Sequence, residues 1–478
     1  MDFYRIYDED LAQASYMLGC SRRKQALVVD PRRDVDVYLD EARQHGLEIV
    51  AVADTHIHAD YLSGARELAH ATGAKLYLSA AGGAGERYEG LGGFQAEELR
   101  HEDTFHIGEL TIQALHTPGH TSEHLAYLVT DPDVPSEPAL MLTGDFVFVQ
   151  DLGRPDLLES LGAGNKGHAR QGAEDLFESL QKTLLNLPGH LLLWPGHGAG
   201  SACGKSLGGA PVSTVAYELK HRWWSKYLQE NDRRGFVDAL LEDQPEAPLY
   251  FKKMKELNRE GIDILGGVPV PTLLTPGEFC KKFTEGGAVL VDTRDKDAFA
   301  EHHLKGAYHV PGAQKFSTWA GWILPYYRPI ILLASNRDEA EGLMRKLLRI
   351  GHDDVLGYIK SIDDFSSLLE TSKVSRVDTD QARALFDEGK VHFLDVRTRS
   401  EFEEGHIPGA SHVFAGRIMH ELDRLPRDEK LVVYCSAGNR SSLATSVLKA
   451  HGFDDVINFP GSFEAWKKAD LPVEKKSS

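Results

Sequence analysis

The sequence predicts an α/β protein that is divided into several domains. The chain has 478 residues, which correspond to about three domains, and its 42% hydrophobic residues can supply a core for each of them. Apolar runs of strand length alternate with helical patterns along the chain. In the second half, the segment that starts at Asp292 aligns with the segment that starts at Asp395. These observations predict a first domain followed by two related α/β domains.

The clearest domain boundary is the Gly/Pro-rich segment 266–277, GGVPVPTLLTPG. We therefore predict domains at 1–265, 272–370 and 374–478. In the last two, strands alternate with helices, which is typical of a central parallel sheet.

Composition and charge exclude several classes of protein. The chain carries 53 Lys and Arg against 72 Asp and Glu, a net charge of −19, and no basic block that would follow a phosphate backbone, so we expect no nucleic-acid partner. It begins without the pattern of a secretion signal, and no apolar run is long enough to span a bilayer. Its four cysteines, at 20, 203, 280 and 435, are too few and too scattered for a disulfide framework and fit a reducing compartment. We therefore expect a cytoplasmic protein without a membrane partner.

Candidate metal ligands follow four apolar, strand-like runs in the first domain. The run 47–53, LEIVAVA, leads directly into THIHADY at 55–61, which holds two histidines and an aspartate. Later runs lead in the same way to HTPGHT, to TGD and to PGH. Imidazole and carboxylate groups at the ends of neighbouring strands would converge on one ion. The candidates are His56, His58, Asp60, His120, Asp145 and His197.

The HxHxD, TPGHT and TGD motifs resemble those of the metallo-β-lactamase superfamily. This resemblance implies an N-terminal αββα sandwich with a metal site at one edge. Hydrolases of the glyoxalase II type in this superfamily use HxHxDH to hold two metals, and the last histidine binds the second. Tyr61 takes that position here, and a neutral phenol is a poor ligand for a divalent ion. We therefore expect one metal, with His56, His120 and Asp145 as its ligands.

Two imidazoles and one carboxylate are the triad of non-haem Fe(II) oxygenases. His58 and Asp60 are then a fourth ligand and an orienting partner, or residues that only hold the ligands in place. His197 is either a contact for substrate or the remnant of a second metal site.

Residues 1–260 are similar to persulfide dioxygenases, the mononuclear-iron branch of this superfamily, in the segments THIHADY, HTPGHT, TGDFVF and LGRPD. The resemblance implies one Fe(II) per chain, which zinc can replace during purification in air. It also implies that a low-molecular-weight thiol persulfide reacts with O2 to give sulfite and free thiol. Arg154 and Tyr61 would bind substrate, with a structural salt bridge as the alternative for Arg154. Cys203 resembles a cysteine that holds persulfide near the iron in dioxygenase-rhodanese fusions.

In the last domain, the apolar run LVVY ends at Cys435 and a helical pattern starts a few residues later. A cysteine at such a turn faces unpaired backbone N–H groups and the positive end of a helix, which favour a thiolate and an anionic sulfur adduct. Arg440 adds positive charge, and the cradle for the persulfide consists of Ser436, Ala437, Gly438 and Asn439. The loop, together with the DVR and EFEEGHIPGA segments, resembles the rhodanese family, and its six residues suit sulfur rather than phosphate. The resemblance implies that Cys435 and Arg440 are catalytic in sulfur transfer.

The middle domain departs from the rhodanese pattern at two positions. Ala334 takes the place of Cys435, and Glu339 takes the place of Arg440. Without a nucleophile this domain cannot carry persulfide, so we call it the silent repeat and expect a spacer or a docking domain. We call the domain that holds Cys435 the active repeat.

Nearly the whole chain thus resembles a persulfide dioxygenase-rhodanese fusion that serves sulfide detoxification. In such a fusion, sulfite accepts sulfane sulfur from Cys435 to give thiosulfate, or the transfer runs backwards from thiosulfate to make persulfide for the iron. We also expect a homo-oligomer. Two other interpretations stay open: a zinc-dependent thioester hydrolase of the glyoxalase II type with a rhodanese tail, and a sulfur-relay protein with a structural metal.

Overall fold

The computed structural model describes residues 1–83, 85–162, 167–313 and 315–475. The chain divides into two compact units, of which the first contains Met1–Pro269 with Leu348–Gly351 and the second contains Val270–Leu347 with His352–Ser478. The division after Pro269 lies within the Gly/Pro-rich segment 266–277. The last three residues of the predicted domain 374–478 lie outside the described residues.

Two six-stranded sheets form the body of the first unit. The strands of the first sheet, β1 to β6 in spatial order, are Asp2–Asp8, Gln13–Cys20, Gln25–Val29, Glu48–Ala53, Lys75–Ser79 and Ala96–Leu99. The strands of the second sheet, β7 to β12 in spatial order, are Thr104–Ile107, Leu110–His116, Leu125–Thr130, Leu140–Gly144, Leu192–Pro195 and Ser213–Thr214. Strands β3 to β6 are parallel, as are β10 and β11, and the other neighbours are antiparallel.

Helices cover the outer faces of both sheets. Helices α1 to α8 are Asp36–His45, Ala65–Thr72, Leu157–Ser160, His168–Lys182, Val215–His221, Ser225–Glu230, Arg233–Leu241 and Tyr250–Glu260. One buried apolar cluster joins the facing sides of the two sheets, for example through Tyr16 of β2 and Tyr127 of β9. A second cluster packs α1 and α2 on the first sheet, and a third packs α4 and α7 on the second. The first unit is therefore the predicted αββα sandwich.

The first sheet contains one strand that the hydrophobic pattern does not separate. The pattern predicts two strands, DFYRIYD and ALVVD, joined through YMLGCSRRKQ. The structure has three strands here, because Gln13–Cys20 forms β2, and all eight of its residues are buried. Residues of β2 pack into the cluster between the sheets and into the cluster under α1, and a strand buried on both faces shows no apolar-polar alternation.

Each repeat of the second unit contains a parallel sheet. In the silent repeat, strands β13 to β18 are Val289–Asp292, His303–Leu304, Tyr308–His309, Ile330–Leu333, Val355–Ile359 and Thr371–Ser372, and helices α9 to α12 are Pro276–Cys280, Lys296–Glu301, Phe316–Ile323 and Arg337–Leu348. In the active repeat, strands β19 to β23 are Ser375–Arg376, His392–Asp395, Ser411–His412, Leu431–Tyr434 and Val456–Asn458, and helices α13 to α16 are Thr379–Glu388, Arg399–Glu404, Asn439–Ala450 and Ser462–Lys468. The parallel sheets have the orders β15-β13-β16-β17 and β19-β23-β22-β20-β21, and β14 pairs separately with β18.

In both repeats, an Asp and an Arg two positions later form an ion pair at the turn after a core strand. In the silent repeat, Arg294 Nη2 lies 2.6 Å from Asp292 Oδ2 and donates to the carbonyl of His302. In the active repeat, Arg397 Nη2 lies 2.6 Å from Asp395 Oδ2 and donates to the carbonyl of Gly405. The repeat in the sequence is therefore a repeat in the structure.

Among the described helices, none combines the length and the apolar character that crossing a bilayer requires.

Candidate metal centre and cysteine loop

Three predicted metal ligands meet where β4, β8 and β10 end. His56 lies in the loop after β4, His120 follows β8, and Asp145 comes directly after β10. His120 Nε2 lies 3.5 Å and His56 Nε2 lies 4.0 Å from Asp145 Oδ2. Since metal bonds to these groups are about 2.0–2.2 Å long, ligands of one ion lie roughly 3–4 Å apart. The three side chains are buried, and their spacing fits a shared ion.

Hydrogen bonds fix the proton of both imidazoles on Nδ1, so that the unprotonated Nε2 of each ring faces Asp145. His120 Nδ1 lies 2.8 Å from the carbonyl of Arg154, which can only accept, so Nδ1 carries the proton. The Thr55 hydroxyl donates to Asp30 Oδ2, and His56 Nδ1, 2.9 Å from that hydroxyl oxygen, is therefore the donor to it. In both rings the lone pair is on Nε2, the form that a metal binds.

Asp145 shows that this donor set fits a cation. Both of its carboxylate oxygens are buried and neither has a hydrogen-bond partner among the described residues. An unpaired buried carboxylate is costly, and two imidazole lone pairs beside it add to the cost. Burial raises the pKa of Asp145 to about 6 and lowers the pKa of His120 to about 3. A divalent ion would satisfy all three groups in the protonation states that binding needs.

Asp30, which the sequence analysis did not single out, holds the loop that carries His56. Its Oδ1 accepts from the Thr55 backbone N–H at 2.6 Å, and its Oδ2 accepts from the Thr55 hydroxyl at 2.9 Å. His58 Nε2 lies 3.0 Å from Asp30 Oδ1. Although burial opposes the charged ring, the charge and hydrogen bond of Asp30 raise the pKa of His58 to about 9. His58 is thus outside the triad, paired with Asp30. The signal for Asp30 was its position at the end of the apolar run ALVVD.

His124 is a second residue that the sequence analysis missed. Its Nε2 accepts from the backbone N–H of Asp145 at 3.0 Å, and its Nδ1 lies 2.8 Å from the Thr117 hydroxyl. Its ring stacks on that of His56 with centroids 5.2 Å apart. Burial lowers the pKa of His124 well below its usual value, so the ring is neutral and can accept. His124 therefore orients Asp145, and the signal was a further histidine four positions after His120.

A second group of potential ligands lies beside the triad: Asp60, His197 and Cys203. His197 Nδ1 donates to the carbonyl of Ala12, which leaves Nε2 at 3.4 Å from Asp60 Oδ2 and at 3.6 Å from Asp145 Oδ1. Asp60 Oδ2 is buried without a hydrogen-bond partner among the described residues. Burial, with the charges of Asp60 and Asp145, raises the pKa of the Cys203 thiol well above its usual range. The group is therefore a neutral thiol, an imidazole and a carboxylate that adjoin the predicted ligands.

Arg154 and Tyr61, the predicted substrate contacts, both have partners in the protein. The Arg154 guanidinium bonds both carboxylate oxygens of Asp156, at 2.9 and 2.6 Å, and the carbonyl of Ala202 at 3.2 Å. The Tyr61 hydroxyl donates to the carbonyl of Asp30 and accepts from Gln13 Nε2. These contacts favour the structural salt bridge for Arg154, and substrate binding by either residue stays a prediction.

In the active repeat, Cys435 comes directly after β22 and begins the loop before α15. The backbone N–H of Gly438 donates to Cys435 Sγ at 3.1 Å, and the Ser462 hydroxyl lies 3.7 Å from the same sulfur. The Ser462 hydroxyl donates to the carbonyl of Phe459 at 2.8 Å, so the N–H of Gly438 is the donor to the sulfur. Such a backbone donor favours negative charge on sulfur.

Arg440 forms one wall of this loop. Its guanidinium bonds both carboxylate oxygens of Glu401, at 2.5 and 2.8 Å, and the Ser436 hydroxyl at 2.8 Å. Burial acts against the charge of Glu401, but the bonds from Arg440 outweigh it and lower the pKa of Glu401 to about 2. Arg440 and Glu401 thus form a fixed ion pair at the rim of the loop.

The corresponding loop of the silent repeat carries a carboxylate, that of the exposed Glu339. Ala334 follows β16 as Cys435 follows β22. Glu339 Oε2 accepts from the backbone N–H of Ser335 at 2.8 Å. Where the active repeat could hold a sulfur adduct, the silent repeat has a methyl group and a carboxylate.

Two protein families match the chain. The metallo-beta-lactamase superfamily matches residues 9–197, and the rhodanese-like domain matches residues 275–368 and 378–469.

Individual proteins are similar over parts of the chain. A crystal structure of a metallo-beta-lactamase from Staphylococcus aureus subsp. aureus COL is 34% identical, with a TM-score of 0.66, and the match covers 75% of this chain and 99% of that chain. The crystal structure of ETHE1 from Myxococcus xanthus is 27% identical, with a TM-score of 0.43, over 54% of this chain and 98% of that chain. A probable polyketide biosynthesis zinc-dependent hydrolase of Bacillus velezensis, BaeB, is 25% identical over 221 residues, which are 46% of this chain and 87% of that protein.

We expect the His120→Ala variant to bind a divalent ion at least about ten-fold more weakly than the unaltered protein, because it lacks one of three ligand atoms. Elemental analysis after anaerobic incubation with Fe(II) and gel filtration measures this. Asp60→Asn is the matched control, since Asp60 belongs to the adjoining group, and it should retain its ion. An ion that is lost from Asp60→Asn and kept by His120→Ala would contradict the assignment of the triad.

Proposed function

The chain belongs to the metallo-beta-lactamase superfamily and carries two rhodanese-like domains after the matching region, and from this we propose that it oxidises a thiol persulfide and transfers sulfane sulfur. The substrate is a low-molecular-weight thiol persulfide, and the oxidant is O2. The overall reaction is RSSH + O2 + H2O → RSH + H2SO3, in which the terminal sulfur gives four electrons to O2. One Fe(II), with His56, His120 and Asp145 as ligands, is the proposed cofactor.

The donor set of the triad is the observation that carries this proposal. Two neutral imidazoles and one carboxylate on one side of an ion are typical of non-haem iron oxygenases, which leave the other positions to substrates. A structural zinc site would instead be closed by four protein ligands. His58, which the sequence offers as a fourth ligand, is bonded to Asp30 through Nε2. A structural metal is therefore the less favoured interpretation.

The chain's own residues would keep the ligands ready for the ion. The carbonyl of Arg154 and the hydroxyl of Thr55 hold the imidazole protons on Nδ1 of His120 and His56. His124 fixes the backbone of Asp145, whose charge offsets part of that of the ion. When bound, iron supplies a centre at which a persulfide sulfur and O2 can meet and exchange electrons.

Sulfur transfer is proposed for Cys435. Its persulfide would give the outer sulfur to sulfite, Cys–S–S⁻ + SO3²⁻ → Cys–S⁻ + S2O3²⁻, and the reverse reaction would use thiosulfate to load Cys435. The N–H of Gly438 and the first turn of α15 support negative charge on the sulfur in both directions. Arg440, paired with Glu401, would shape the entrance of the loop.

A zinc-dependent thioester hydrolase is the second candidate. It is favoured by the adjoining group of Asp60, His197 and Cys203, because Asp145 Oδ1 lies 3.6 Å from His197 Nε2 and could bridge two ions. The similarity to a protein named as a zinc-dependent hydrolase points the same way. This function requires two zinc ions and consumes no O2.

Oxygen uptake separates the two candidates. Protein loaded anaerobically with Fe(II) should take up O2 in the presence of glutathione persulfide, mole for mole with the persulfide consumed, as the balanced reaction requires. The zinc-loaded protein should take up none. Hydrolysis of S-acyl glutathione by the zinc form, with no persulfide-dependent O2 uptake by the iron form, would overturn the proposal.

Two substitutions should separate the two reactions. Cys435→Ser should abolish thiosulfate formation and leave persulfide-dependent O2 uptake intact, because it removes only the sulfur carrier. Asp145→Ala should lower O2 uptake by about 100-fold or more and spare sulfur transfer from thiosulfate to cyanide. Cys280→Ser, at a cysteine that no predicted site contains, is the control and should change neither activity. Loss of both activities in either site variant, with the fold intact by circular dichroism, would show that the sites are not independent.

A further inference from the structure

One lysine of the silent repeat contacts the cysteine loop of the active repeat, residues 435–440. Lys296, the first residue of α10, is partly buried and lies against this loop. Its Nζ donates to the carbonyl of Ala437 at 3.1 Å and to Asn439 Oδ1 at 3.2 Å. We propose that Lys296 is a positioning residue for Cys435, so that the silent repeat completes the sulfur-transfer site. This inference rests on the sulfur-transfer part of the proposed function.

The two contacts of Lys296 enclose the peptide unit that holds the sulfur. The carbonyl of Ala437 and the N–H of Gly438 belong to one planar peptide group. The N–H side of this group donates to Cys435 Sγ at 3.1 Å, while the carbonyl side accepts from Lys296. An ammonium on the carbonyl fixes the plane and polarises the group, which strengthens its N–H as a donor to an anionic sulfur.

Other cations in the loop are occupied elsewhere. The guanidinium of Arg440 bonds Glu401 and the Ser436 hydroxyl, and these contacts lie on the wall of the loop.

Gly438 has a φ of +92°, and a side chain there would come within 2.6 Å of the carbonyl of Pro460 and 3.2 Å of Lys296 Nζ. The loop is thus packed closely around the peptide group that Lys296 contacts.

The silent repeat also holds the helix that follows the loop. The backbone N–H of His309 in β15 donates to the Ser446 hydroxyl of α15 at 3.0 Å. His309 Nε2 donates to the carbonyl of Arg294, so its Nδ1 accepts from the Ser442 hydroxyl at 3.0 Å. Loop and helix are therefore both fixed by a domain that has Ala334 where the active repeat has its loop cysteine.

A neighbouring contact between the repeats provides the control. Arg376 Nη1 of β19 lies 2.6 Å from Asp297 Oδ1, one residue beyond Lys296. The ion pairs of Arg376 among the described residues are with Asp297 and Glu301 of α10 and not with the cysteine loop. Arg376→Met removes a link between the repeats but leaves the Ala437–Gly438 peptide group unchanged. Lys296→Met removes a link and the ammonium, and Lys296→Arg keeps a cation.

The test is the rate at which iodoacetamide alkylates Cys435 in the full-length protein across pH, with Cys280→Ser as the background and peptide mass spectrometry as the readout. Iodoacetamide is neutral, so a lost cation cannot act by attracting the reagent. We expect Lys296→Met to lower the rate at pH 7 about three-fold, the scale of a partly exposed charged contact, and to move the pH profile to higher pH. Lys296→Arg should stay within about two-fold of the unaltered protein, and Arg376→Met should match it.

An unchanged alkylation rate and pH profile in Lys296→Met would overturn the inference. An equal change in Arg376→Met would also overturn it, because it would show only that the repeats must dock. Alkylation requires no sulfur transfer. If the unaltered protein makes no thiosulfate, the proposed function fails while the alkylation comparison still decides the role of Lys296.

Discussion

The carboxylate of Asp30 is the constraint on which the metal centre depends. It sits at the end of β3 and binds the backbone and hydroxyl of Thr55 and the ring of His58, so the HxHxD loop can take one conformation. Through Thr55 it also decides which nitrogen of His56 carries the proton. The charge of Asp30 is met by His58 inside the protein, whereas both oxygens of Asp145 lack a hydrogen-bond partner among the described residues. The buried pair of Asp30 and His58 therefore fixes the loop, and the buried, unpaired carboxylate of Asp145 favours the binding of an ion.

The two proposed sites handle anionic sulfur by different physical means. At the first, a bound cation would offset the charge of a persulfide, and the predicted ligands are neutral imidazoles and one carboxylate. At the second, backbone N–H groups and the start of α15 do so without a metal, and a lysine from another domain supports them. Sulfite, the product of the proposed oxidation, would be an acceptor for the proposed sulfur transfer. This gives a chemical reason for one chain to contain both sites.

The sequence predicts those parts of the molecule that are marked by characteristic residue types at characteristic positions along the chain. The αββα sandwich is implied by the resemblance of the metal-ligand motifs, and the parallel sheets of the repeats follow from the alternation of strands and helices. The convergence of His56, His120 and Asp145 follows from apolar runs that end in ligand-type residues. The hydrophobic pattern does not separate strand β2, because both of its faces are buried. Asp30 acts on His56 through Thr55, and His124 bonds the backbone of Asp145. No motif separates such partners from ordinary polar residues. Lys296 and Ala437 are 141 positions apart, and only the packing of two repeats brings them together.

The central claim is that one ion, bound by His56, His120 and Asp145, performs the oxidation. The most direct measurement is anomalous scattering at the iron edge from crystals grown anaerobically with excess Fe(II). One anomalous peak per chain is expected, within bonding distance of His56 Nε2, His120 Nε2 and an Asp145 oxygen, with solvent on its remaining side. Two peaks bridged by Asp145, the second bound by Asp60, His197 and Cys203, would contradict it and favour the hydrolase.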